Sequence, residues 1–115
     1  MKISILLLLV LLAGCTPTQT SSVILTCTAV PDGSYVGQAK AYDLRYAVDN
    51  ITENNWGTCV RVNLTQVPKK AGEIDTFKVS GLYSGVVYYF AVKVISRNGD
   101  ISPLSNVAVK PIYNM

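Results

Sequence analysis

Three cysteines, Cys15, Cys27 and Cys59, carry the most nucleophilic side chains of a chain that has no histidine. Nucleophilic catalysis needs a thiol or hydroxyl beside a positioned base, and no serine here has a candidate base near it in sequence. Acid–base catalysis by carboxylates needs two of them in one cleft. The seven acidic residues are scattered through the chain, and the closest pair, Glu73 and Asp75, reads as solvated loop charge. Gly33 and Gly37 are too sparse for a phosphate cradle. The expectation is a protein that is not an enzyme and takes no cofactor. Apart from Lys69-Lys70 the cations stand singly, so no nucleic-acid footprint is expected either.

The first cysteine has the most specific context. Lys2 precedes an apolar run from Ile3 to Leu12, and the run ends in Leu12-Ala13-Gly14-Cys15. A positive start, a short apolar helix and small residues at its end make a secretory signal peptide. A membrane-spanning helix needs roughly 20 apolar residues, and the polar stretch Thr16 to Ser22 stops this run short of that. The tetrad resembles the lipobox of bacterial lipoproteins. That resemblance implies removal of residues 1–14, a lipid on Cys15, and a tether over residues 15–22. Several acyl chains make such an anchor stable. Thr16, where inner-membrane retention usually uses aspartate, implies the outer membrane in a two-membrane envelope. With one membrane it implies the extracellular face of the plasma membrane. The plainer alternative is an ordinary signal peptide cut near Gly14, with Cys15 unmodified. No metal site is expected, since histidine is absent and Cys15 would be acylated.

The elements that must position anything else are strands. Residues 23–111 form one domain and 112–115 a short tail. Apolar and polar residues alternate with period two in Val23–Val30, Ala41–Val48, Thr58–Leu64, a strand around Phe77 and Val79 ending at Ser80-Gly81, and Tyr88–Ser96. Ser105–Pro111 closes the set, where Pro111 suits an edge. Pro31-Asp32-Gly33 is turn chemistry, and Asn98-Gly99 predicts a two-residue hairpin with both residues at positive φ. No helical period appears outside the signal. Short strands with turns between them predict an all-β sandwich.

Within that pattern, Leu82-Tyr83-Ser84-Gly85-Val86-Val87-Tyr88-Tyr89-Phe90-Ala91-Val92 resembles the tyrosine-corner block of fibronectin type III domains. Asn98 to Asn106 is similar to that family's last hairpin, and Tyr42-Asp43-Leu44-Arg45-Tyr46 with Trp56 to its bacterial subtype. The resemblance implies a fibronectin type III (immunoglobulin-like) β-sandwich with Leu82 buried and the Tyr88 hydroxyl on backbone near the turn. It also implies that the first strand is truncated or missing, so that Val23–Val30 is an edge open to strand addition by a partner. Cys27 stands where the family has tryptophan, a loss of about 3–5 kcal/mol of packing if uncompensated. A Cys27–Cys59 disulfide stapling the sheets would compensate; two buried thiols are the alternative.

Residues 16–22 reach roughly 25 Å at most, which holds the domain close to the bilayer. One pole then faces outward with the loops Pro31–Lys40, Val67–Asp75 and Asn98-Gly99. Ser34, Tyr35, Lys69, Lys70, Asn98 and Asp100 are its candidate binding residues. Trp56 is expected to pack at the sandwich edge; exposed, it would stack on sugar. The functional expectation is a membrane-anchored envelope lipoprotein whose non-catalytic domain binds protein or glycan. The alternatives are a structural subunit joined by strand addition and an accessory module of a polysaccharide-degrading system.

Overall fold

The computed structural model describes residues 20–29 and 38–113. The signal segment 1–14, Cys15, Ser34 and Tyr35 lie outside the described residues. The chain is all-β, and its strands form two sheets. Strand β1 (Thr20–Thr28) pairs antiparallel with β4 (Ile74–Tyr83). Strands β2 (Ala41–Ala47), β3 (Val60–Arg61), β5 (Val87–Ile95) and β6 (Ala108–Pro111) make the second sheet, in the order β3-β2-β5-β6.

Period-two alternation puts one residue set of each strand between the sheets. Leu25 from β1 and Phe77, Val79 and Leu82 from β4 meet Tyr42 and Leu44 of β2 and Tyr88 and Phe90 of β5. The Tyr42 and Phe77 rings meet edge to face at 5.1 Å, and Tyr46 meets Tyr88 in the same way at 5.5 Å. Leu82 is fully buried, and the Tyr88 hydroxyl accepts the Tyr83 N–H at 3.0 Å. A buried tyrosine thereby satisfies its polar tip and a turn's backbone donor together.

The second sheet is covered on its outer face as well. Ile51 and Trp56, the latter opening a single 3-10 turn (Trp56–Thr58), pack on Ala91, with Ala47, Tyr89 and Cys59 around them. Arg45 lies over the Trp56 ring at 4.6 Å and Lys93 at 5.1 Å. Asp43 is buried on this face because Arg45 and Arg61 pair with it at 3.0 and 3.5 Å.

Several expectations need correction. The Cys27–Cys59 disulfide does not form, and both thiols are free. Cys27 borders the core between the sheets, whereas Cys59 borders the outer Trp56 cluster. The four-stranded sheet separates them. The first described strand starts at Thr20, so Thr20–Ser22 are sheet rather than tether. The strand expected over Thr58–Leu64 shrinks to Val60–Arg61, because the 3-10 turn occupies its start. The strand around Phe77 runs past Ser80-Gly81 to Tyr83. It does so through a bulge, in which Ser80 and Gly81 together face Ser22 and Gly81 takes φ +79°.

The last hairpin has three loop residues, not two. Gly99 N–H bonds Ser96 O at 3.0 Å and Ser96 N–H bonds Asp100 O at 2.9 Å, with Gly99 at φ +90°. This is a turn followed by a left-handed glycine. Beyond it, residues 105–107 are not strand, and the expected Ser105–Pro111 strand begins at Ala108. Ser102 and Ser105 donate their N–H groups to Val94 O and Val92 O. Their hydroxyls accept the N–H groups of the same two valines. Three residues here advance for every two of β5, and serine side chains supply the acceptors that a strand's carbonyls would.

Gly81→Ala should cost about 1 kcal/mol, since a side chain at positive φ is strained although nothing crowds the site. Gly57→Ala, equally open and without positive φ, should be neutral or stabilising by a few tenths of a kcal/mol. Urea denaturation of both variants measures the difference.

Candidate functional site

The candidate site lies at the pole where β1 and the Ser96–Asp100 hairpin end and where β2 and β4 begin. Its base is a buried carboxylate. Asp75 sits opposite Cys27 in the β1–β4 ladder and is 1% exposed. The Tyr42 hydroxyl donates to its Oδ2 at 2.5 Å, and the Lys69 N–H donates to the same oxygen at 3.0 Å. Asp75 is thus no solvated loop charge. It lies on the inward parity of β4, two residues before Phe77, and that parity was legible in the sequence. Two donors compensate its desolvation.

Burial pushes the Tyr42 hydroxyl far above its ordinary range, and its hydrogen bond to Asp75 and the nearby charge add to that. Burial likewise pushes the Cys27 thiol up, and the Asp75 charge adds to it, against a hydrogen bond with Tyr42. A raised thiol pKa marks an inert cysteine rather than a reactive one.

Above this base the loops are cross-linked. Gln38 bridges Lys70 through backbone pairing and donates from its side chain to Pro68 O at 2.5 Å. Arg97 Nε donates to Gln38 O at 3.0 Å, and its Nη2 reaches Gln38 Oε1 at 3.4 Å. Ala29 N–H bonds Glu73 O at 2.7 Å, and Gly72 N–H bonds Ala29 O at 2.9 Å. Gln38, the 67–73 loop and the last hairpin therefore form one surface.

Lys40, Lys69, Lys70 and Arg97 are all exposed on that surface, with Glu73 and Asp100 as its described acids. Of the residues expected to bind, Lys69, Lys70, Asn98 and Asp100 come together here. The sequence placed the 31–40 loop and the last hairpin at this pole but did not single out Gln38, Lys40 or Arg97, because the cross-links of Gln38 to Pro68 O and of Arg97 to Gln38 O are side-chain contacts that no periodicity encodes. Trp56 offers no open ring for sugar: it is 9% exposed and flanked by two cations.

A second feature runs along the side of the sandwich. Among the described residues, β4 is the only partner of β1. Beside β1, between Leu25, Cys27, Ser105 and Ala108, a cavity of about 90 Å³ opens over Phe77 and Phe90. Among the described residues no group of histidine, cysteine and acidic side chains is placed to hold a metal ion. No described helix is long and apolar enough to cross a membrane. The chain matches no family model and no curated protein.

Tyr42→Phe should destabilise the protein by about 1.5–3 kcal/mol at neutral pH, the range for a hydrogen bond to a charged group. The folded-state pKa of Tyr42 lies above the unfolded value, so this stability is fully present below about pH 10 and is lost as pH rises beyond it. The wild-type advantage over Tyr42→Phe should therefore shrink in alkali, as read by denaturation at pH 7 and pH 11.

Proposed function

We propose that this protein is a lipid-anchored lipoprotein of the bacterial cell envelope, with a fibronectin type III-like domain that binds a partner without catalysis. The leader and Cys15 tetrad support the anchor. The sandwich with four strands on one side and two on the other supports the domain type, short of its first strand. The observation that carries the binding role is the cationic pole. Lys40, Lys69, Lys70 and Arg97 sit on loops cross-linked by Gln38 and held from below by Asp75. They lie at the opposite end from Thr20, where the chain leaves the membrane. A rigid, outward, positively charged surface suits a protein or glycan partner that carries negative charge.

A second reading is that the domain joins an envelope assembly by strand addition, which the cavity beside β1 favours. Ala29 N–H points to β4, so by alternation Ile24, Thr26 and Thr28 direct their backbone groups away from it. The strand β1 carries no charge and no proline, the devices that usually block edge pairing.

Three results test these readings. Labelled fatty acid should enter the wild-type chain and not Cys15→Ser. Lys69→Glu with Lys70→Glu should weaken capture of anionic envelope components by about tenfold or more, each exposed charge being worth up to about 1 kcal/mol, and rising salt should mimic the loss. Thr26→Pro removes an outward N–H and spares the β4 ladder. Loss of partners on that change, with the lysine pair neutral, would favour strand addition instead.

A further inference from the structure

The pole opposite the cations has a different character. Tyr83 ends β4 and is 52% exposed, and Tyr113 just past β6 is 71% exposed. Val87 and Val109, on the outer face of the larger sheet toward the same end, are 43% and 51% exposed. These side chains share one end of the molecule. Thr20 pairs with Tyr83, and Val87 pairs with Pro111. Gly85 N–H bonds Ile112 O at 2.7 Å and Ile112 N–H bonds Val86 O at 3.0 Å, with the Ile112 side chain buried. In residues 20–23, 80–90 and 107–113 the single charge is Lys110.

Lone exposed apolar residues need no explanation, but several gathered around one nearly uncharged end mark a contact surface. This one is also where the chain begins its first described strand. Residues 15–19 span about 18 Å at full extension, so a lipid on Cys15 would keep this end of the domain within that distance of the bilayer surface.

We propose that this pole docks on the lipid headgroup region, with Tyr83 and Tyr113 seated at the membrane–water interface and Val87 and Val109 approaching it from the larger sheet's outer face. The inference rests on lipidation of Cys15. Tyrosine suits that depth, because its ring is apolar and its hydroxyl stays hydrated. Lys110 meets the phosphates. The docked pole fixes the domain upright, so that Lys69 and Lys70 point away from the membrane.

The test uses the full lipidated protein in phosphatidylcholine vesicles, with acyl chains either plain or brominated just below the headgroup. Tyr113→Trp and Tyr83→Trp place an indole at the pole, and Lys70→Trp places one at the far end. At both positions of the pole the emission of the added indole, taken as the variant's signal less that of the unaltered protein, should be quenched about twofold or more by bromine, as for an interfacial indole. Lys70→Trp, and Trp56 in the unaltered protein, should be unaffected. Vesicle-bound, acylated protein in which neither substituted tyrosine is quenched would overturn the docking alone. So would equal quenching at both poles. Protein that takes up no fatty acid at Cys15 and does not float with vesicles would overturn the anchor and, with it, the docking.

Discussion

Two paired strands are at best marginal in water, so β1 and β4 exist because the second sheet receives their inward side chains. Phe77 and Tyr42 are the centre of that contact. Burying side chains of this kind is worth roughly 1.5–3 kcal/mol each, and Leu25, Val79 and Leu82 extend the seam from one pole to the other. Everything at the loop-bearing pole hangs on this contact. Tyr42 and Asp75 flank the seam, and their hydrogen bond carries the order of the core into the backbone of Lys69. The cationic surface is therefore set by packing, although its own residues are exposed.

The larger sheet has a different balance. Its inner face is apolar and aromatic, while its outer face mixes Ile51 and Trp56 with three cations and two carboxylates. Arg45 serves several groups at once: it pairs with Asp43, donates to Trp56 O at 2.9 Å and covers the indole ring. Glu53 pairs with Lys93 and accepts the Leu104 N–H at 2.9 Å, which ties the segment before β6 to the loop after β2. Arg61 and Glu53 face water, so the pairs they make add little alone; Arg45, Asp43 and Lys93 are largely covered, and together they orient Trp56 as a cover for Ala91.

The strands β2 and β5 were legible because their alternation is long and uninterrupted, and Tyr42, Leu44, Tyr88 and Phe90 fall on the parity the sequence implies. The misreadings share a cause. Thr58–Leu64 and Ser105–Pro111 both alternate, yet tertiary contacts decide how much of each pairs. Near Ser102 and Ser105, hydroxyls replace carbonyls and change the residue count per strand step. Cys27 and Cys59 could not be assigned to one layer, since Cys59 follows a 3-10 turn whose direction no periodicity encodes. Asp75 was hidden by its chemistry: a carboxylate reads as surface until its two donors, Tyr42 and Lys69, arrive from elsewhere in the chain.

The ladder between β1 and β4 has a mechanical meaning. Held by lipid before Thr20 and gripped by a partner at the opposite pole, the domain would bear tension along the axis of β1. Its pairs with β4, from Thr20–Tyr83 to Thr28–Ile74, would then be loaded in shear and share the force, rather than opening one after another as in peeling. Resistance to pulling is governed by the unfolding rate rather than by equilibrium stability. Under the proposed anchoring, the nine-residue strand β1 would thus serve as the domain's load-bearing clasp.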